Sequence, residues 1–344
     1  MTERNLFRAI LITTLLLLPK TSFAHKEEEF RIPSGIDSLK LSLLHISPAR
    51  GKAVKEGRVV LFLHGATFPS RLAAGFRFAG HSWMDDLSNA GFDVWALDFL
   101  GYGNSDRYPQ MSMPAESREV LGRATQVATQ VSQAVEFITK KQKVSKLSLI
   151  AHSWGTMVAG LFATQAPNRI DRLVLFGPVT LRHTEQSLEQ ALPAYHYVTT
   201  QQQWERFSGY VPKAELPVFE KREFDIWAKA YLASDPTSTM RTPSSVKIPY
   251  GPVADADAAW SGEFVYNPSA IKAPTLIIRG EWDIVTTYED AAWLYKALSS
   301  TVWKRDVVIS RGTHVMHLEE SRFQLYHEVQ LFLEEKERPF PAKR

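Results

Sequence analysis

The tripeptide His-Ser-Trp occurs twice in the chain, in "FAGHSWMDDL" from Phe78 to Leu87 and in "LSLIAHSWGT" from Leu147 to Thr156. A serine hydroxyl is a weak nucleophile at neutral pH and reacts where geometry exposes it beside a base, so context decides which copy can perform acyl chemistry. Ser153 directly follows the apolar run "KLSLIA" and precedes the helix-like "TMVAGLFATQA". A strand turning sharply into a helix strains its corner residue and needs small neighbours two positions before and after, a need that Ala151 and Gly155 meet. The Ser153 hydroxyl would then stand at the carboxyl edge of a sheet, with a helix N-terminus behind it favouring developing negative charge. Ser82 follows no convincing strand and has the bulky Met84 two places on. It stands three residues before Asp85, so its expected role is to cap a helix over 82–90.

Other chemistries are poorly served. The stretch from Asp98 to Asp106 alternates glycines with polar residues, but it completes no G-x-G-x-x-G pattern and has no P-loop lysine. Acids and histidines lack metal-ligand spacing such as H-E-x-x-H, so neither a cofactor nor a metal is expected. The chain has no cysteine, which excludes disulfides, thiolate metal sites, a thiol nucleophile and lipidation at cysteine. A formal charge of +3, much of it in the first 24 residues, gives no reason to expect a nucleic-acid partner.

The elements that must position Ser153 are visible as alternating runs. "LKLSLLHI", "RVVLFLH", "DVWALDF", "KLSLIA", "RLVLFG", "TLIIRG" and "WKRDVVIS" read as strands, most of them nearly continuous in apolar residues, as strands covered on both faces are. Helical patterns fall at 82–90, 117–140, 156–165, 288–299 and 320–335. Strand and helix taking turns predict an α/β fold, a mostly parallel central sheet flanked by helices. From about 181 to 264 the rhythm breaks: aromatics and prolines abound, no strong strand is evident, and helix-like pieces lie near 185–191 and 224–232. So long an insertion predicts a largely helical cap over one edge of the sheet.

The first 24 residues read as a leader. Arg4 and Arg8 precede an apolar run from Ala9 to Leu18, and Ser22 and Ala24 sit at the −3 and −1 positions of a cleavage site. The run is short for a bilayer span, so the expectation is an exported chain, periplasmic or secreted, with residues 25–344 as the mature domain and no stable membrane insertion.

Five ordered elements resemble the α/β-hydrolase family: His64-Gly65 after a strand, "DFLGYGNSD", the corner from Ala151 to Gly155, "RGEWD" from Arg279 to Asp283, and "GTHVMHLE" from Gly312 to Glu319. The resemblance spans about 30–332. It departs from the family's G-x-S-x-G in carrying Ala151 for the first glycine. It implies a nucleophile Ser153, a general base His314 in the loop after the last strand, and an orienting acid Asp283, in the family's chain order. His317 and Glu281 are the nearby rivals. The backbone N–H of Trp154 is one expected oxyanion donor, and the resemblance points to Ala66 for the second, with Thr67 as its neighbour; His64 is expected to shape that loop. Together these imply an exported serine hydrolase that cleaves a carboxylic ester through an acyl-enzyme. The Ser-Trp-Gly elbow is shared with proline iminopeptidase-like relatives, although "HGATFP" stands where they carry HGGPG; a binding protein on the same fold is the non-enzymatic alternative. Dehalogenases and many epoxide hydrolases have a similar elbow but need aspartate at position 153. The cap residues Tyr195, Tyr197, Trp204, Phe207, Tyr210, Phe219, Phe224, Trp227, Tyr231 and Trp260 could line a pocket for an apolar or aromatic small-molecule ester, or pack the cap itself.

Overall fold

The computed structural model describes residues 26–49, 53–117, 119–184 and 192–336. The leader and its cleavage site lie outside these residues, as does the helix expected at 185–191. The chain opens with β1 (Glu27–Pro33), β2 (Lys40–Ile46), β3 (Val59–Leu63), α1 (Trp83–Asn89) and β4 (Asp93–Asp98). It continues through α2 (Ala124–Gln142), β5 (Leu147–His152), α3 (Gly155–Gln165) and β6 (Ile170–Phe176). An insertion then brings β7 (Tyr195–Thr199), α4 (Thr200–Gly209), α5 (Lys221–Ala233), β8 (Ser245–Pro249) and α6 (Gly251–Trp260). The chain returns to the main sheet with β9 (Thr275–Gly280), α7 (Tyr288–Ala297), β10 (Lys304–Ile309) and α8 (Arg322–Glu334).

Eight of these strands form one sheet in the order β1-β2-β4-β3-β5-β6-β9-β10. β1 and β2 run antiparallel to their neighbours, and every other pairing is parallel. The central strands β3, β4, β5, β6 and β9 are buried at every residue, which explains their unbroken apolar sequences. The edge strands β1 and β10 alternate between covered and exposed positions. β1, "EEEFRIP", was not expected as a strand because it is charged; Glu27 and Glu29 are held by Arg71 and Arg77, and charge suits a sheet edge. Parallel strands share one carboxyl edge, so the loops after β3, β5, β9 and β10 converge there.

One expectation needs correction. The helix expected from 117 begins at Ala124, because Gly122 takes a left-handed φ of +73° and the Asp255 carboxylate accepts the Ala124 N–H at 2.6 Å. That start is set by a residue of the insertion, far along the chain. The insertion is largely helical, through α4, α5 and α6, and adds an unexpected ribbon: β7 and β8 pair antiparallel, Tyr195 opposite Pro249 and Thr199 opposite Ser245. Five-residue strands with one partner carry no long apolar run that would announce them. The insertion has its own core, in which Phe207, Phe219, Phe224, Trp227 and Tyr231 are buried and Trp227 stacks on Tyr231. The Trp227 indole donates to the Leu72 carbonyl at 3.0 Å, tying this core to the segment after β3.

Candidate active site

β5 delivers the chain to Ser153, whose φ is +54°. A non-glycine residue there costs on the order of 1–3 kcal/mol and persists only where its surroundings hold it. The Ser153 N–H donates to the Phe176 carbonyl at 2.9 Å, and its carbonyl accepts the Thr156 N–H at 2.9 Å and the Thr156 hydroxyl at 2.6 Å. The small neighbours are required by contact. A β carbon at Gly155 would lie 2.4 Å from the His64 carbonyl oxygen, whereas Ala151 fits fully buried between β3 and β6. Ser82 adopts the other expected role: its hydroxyl accepts the Asp85 N–H at 3.1 Å while the Asp85 carboxylate accepts the Ser82 N–H at 2.9 Å, a capping box that starts α1.

The loops after β9 and β10 bring two more groups to Ser153. The His314 Nε2 lies 2.8 Å from the Ser153 Oγ, and its Nδ1 lies 2.9 Å from the Asp283 Oδ2. With Nδ1–H donating to the carboxylate, Nε2 is free to accept the serine proton. The carboxylate is also fixed by donors: Oδ1 accepts the Val285 and Thr286 N–H groups at 3.0 and 2.9 Å, and Oδ2 the Thr286 hydroxyl at 2.7 Å. Burial pushes the Asp283 carboxyl up, but the charge and hydrogen bond of His314 and the Thr286 donors outweigh it and hold the group below its ordinary value. Gly177, at φ +54°, gives this pair its space, since a β carbon there would crowd Asp283 Oδ2 at 3.1 Å and the His314 ring at 3.2 Å.

The rivals lie elsewhere. Glu281 is exposed and accepts the Arg311 N–H at 3.0 Å. His317 is buried, with its ring 6.0 Å from that of Phe68, and burial pulls its pKa down to about 3. His64 is a brace: Nδ1–H donates to the Gly65 carbonyl at 2.7 Å, Nε2 accepts the Phe99 N–H at 3.2 Å, and burial pulls its pKa down to about 3. The loop it shapes holds Ala66, whose carbonyl accepts the Tyr102 hydroxyl at 2.7 Å. Ala66 and Trp154 both face, with Ser153 and His314, a cavity of about 330 Å³. Of the ten cap aromatics only Tyr197 and Trp260 line it; most of the others pack the insertion.

The family model for the alpha/beta hydrolase fold matches residues 58–321, most of the chain. This chain belongs to the α/β-hydrolase family. Membership supports a hydrolase activity. The Caenorhabditis elegans "Abhydrolase domain-containing protein abhd-5.2" is 28% identical over 129 residues, which cover 37% of this chain and 27% of that protein. The chain thus spans about a quarter of that relative's length. Among solved structures, a serine hydrolase involved in carbazole degradation (CarC enzyme) superimposes with a TM-score of 0.60 at 16% identity, over 90% of this chain and 99% of its own. An esterase from Exiguobacterium antarcticum does so with a TM-score of 0.58 at 17% identity, over 90% and 100%. At these identities the two likenesses speak to the fold.

Seen as an α/β-hydrolase, the chain holds supporting residues that sequence reasoning missed. His152, at the end of β5, donates through Nε2 to the carbonyl of His314 at 2.8 Å, joining the strand that leads into Ser153 to the His314 loop. Glu319 is buried and accepts both the N–H of Thr313, at 3.0 Å, and its hydroxyl, which anchors the residue before His314. Burial pushes the Glu319 carboxyl up to about 7, against the lowering effect of the Thr313 donors. Asp255, beyond starting α2, accepts the Trp154 indole N–H at 3.0 Å, so the insertion grips the residue after Ser153. His152 and Glu319 stood in view within the motifs; Asp255 gave no local signal.

Proposed function

We propose that this protein is a serine hydrolase acting on carboxylic esters. Ser153 attacks the ester carbonyl as its proton passes to His314 Nε2, and the Asp283 carboxylate orients and stabilises the imidazolium. The oxyanion of the tetrahedral adduct is received by the backbone N–H groups of Trp154 and Ala66, each such donor being worth about 3 kcal/mol in comparable sites. His314 then gives its proton to the departing alcohol, leaving an acyl-Ser153 ester. A water, deprotonated by the same imidazole, releases the acid and restores the serine. The observation that carries this reading is the unbroken chain from Ser153 Oγ to His314 to Asp283, at 2.8 and 2.9 Å, with the serine held at φ +54°.

The substrate is a small ester whose apolar part meets Tyr197, Val253 and Trp260 in the cavity. Competition between p-nitrophenyl esters and proline naphthylamides tests the bond that is cleaved. Ester turnover that Ser153→Ala abolishes is expected; turnover of the naphthylamide alone would transfer the reading to an iminopeptidase. We further propose that residues 1–24 direct export and are removed, a reading supported by the leader's charge and apolar pattern. Mass spectrometry of the protein from the periplasm or medium is expected to find an N-terminus at His25, and an intact Met1 in the cytoplasm would overturn it.

A further inference from the structure

The cavity above Ser153 contains Arg206, from the middle of α4. Three arginines of the insertion and its borders put their charge on an acid: Arg123 pairs with Asp255 at 3.3 Å, Arg182 with Asp290 at 2.5 Å and Arg241 with Asp235 at 2.8 Å. Among the described residues, Arg206 meets only neutral oxygens. Its Nη1 donates to the Thr67 hydroxyl at 3.0 Å and to Gln203 Oε1 at 3.2 Å, and its Nε to the Tyr210 hydroxyl at 3.3 Å. Among the described residues, Nη2 has no acceptor and the guanidinium no carboxylate partner. A half-buried guanidinium without a counter-ion is an incomplete arrangement, and its planar fork matches a carboxylate. The cavity's one carboxylate, Asp257, makes no ion pair with Arg206 within 4 Å, and burial pushes it up. The bond to Thr67 places the guanidinium against the loop that carries Ala66, close to where the reacting carbonyl would lie.

We infer that the substrate is an ester bearing an anionic group, a carboxylate, and that Arg206 binds that group. The inference rests on the Ser153 hydrolase reading and gives it a substrate class. The competing account is that Arg206 merely latches the insertion to the Thr67 loop.

The test compares matched esters with purified full-length enzyme. Mono-p-nitrophenyl adipate against p-nitrophenyl hexanoate puts the anion on the acyl side; 4-carboxyphenyl hexanoate against 4-carbamoylphenyl hexanoate puts it on the alcohol side. In one pair the anionic ester is expected to have at least a tenfold higher kcat/KM. Arg206→Gln should lower that value roughly tenfold or more, chiefly through KM, while the neutral partner stays within about threefold and Arg206→Lys retains part of the preference. No preference in either pair, or an equal fall for both partners in Arg206→Gln, would overturn the inference. If a fluorophosphonate labels Ser153 but none of the four esters turns over, labelling becomes the readout. Adipate is then expected to slow it in the wild type more than in Arg206→Gln, and equal slowing overturns the inference. Absence of both labelling and turnover would instead remove the hydrolase reading on which it stands.

Discussion

Ser82 and Ser153 share the neighbours His and Trp and are both nearly buried, yet one caps a helix and the other faces an imidazole. Ser82 has an extended backbone, φ −119°, and bonds within three residues of itself. Ser153 has a left-handed backbone and bonds across more than a hundred residues, to His314. The tripeptide therefore decides nothing; the segment before it does. A strand feeding Ser153 delivers it to the edge where the loops after β9 and β10 arrive, whereas the segment before Ser82 leads only into a capping box. The nearby acids differ in the same way. Asp85 at the cap feels burial, which raises its pKa, but Arg77 and Ser82 bonds outweigh it and leave the group lowered; Glu319 behind the histidine loop has no such cation among the described residues and is pushed up to about 7.

Substitution at the two serines tests this contrast most severely. Ser153→Ala is expected to reduce ester kcat by roughly 10³- to 10⁶-fold with the fold intact, read by steady-state kinetics and circular dichroism. Asp283→Asn should cost about 10⁴-fold, since the amide favours the wrong imidazole tautomer. An ordinary rate in Ser153→Ala would make Ser153 as inert as its twin, and an ordinary rate in Asp283→Asn would remove the carboxylate from the mechanism. Gly155→Ala probes the corner rather than the chemistry: with a β carbon 2.4 Å from the His64 carbonyl, it should destabilise the protein by about 1–3 kcal/mol in urea unfolding.

The acids sharpen the comparison through pH. Because the Glu319 pKa is raised in the folded state, its contribution is fully present below its ordinary value near 4.5 and is lost as pH rises through about 7. Asp85 is lowered, so its contribution is present above its ordinary value near 3.8 and is lost as pH falls. Between pH 5 and 8, Glu319→Gln is expected to flatten the decline in stability and Asp85→Asn to leave its slope unchanged; unfolding midpoints across that range check both. The smallest effect belongs to Ser82→Ala, with a loss of about 1 kcal/mol of stability and no change in kcat.

Legibility tracked the range of the interactions. Five of the seven expected main-sheet strands, β3, β4, β5, β6 and β9, announced themselves because burial on both faces imposes unbroken apolar runs, and the family resemblance pointed to candidate site residues in the loops at the carboxyl ends of the strands. β1 was hidden because an edge strand tolerates charge, and β7 and β8 because a two-stranded ribbon needs no such run. The start of α2 and the grip on Trp154 depend on Asp255, more than a hundred residues later. His152 was visible, but its bond runs to a backbone carbonyl, which no side-chain pattern reports. Arg206 lies in a stretch of the insertion where no element was expected; among the described residues it is set apart by the lack of a carboxylate partner.

The most direct measurement is intact-mass and peptide mapping after exposure to a fluorophosphonate. The wild type and Ser82→Ala are each expected to gain one adduct, on Ser153, and Ser153→Ala none. A wild type that stays unmodified, or an adduct that maps to Ser82, would contradict the assignment of the nucleophile.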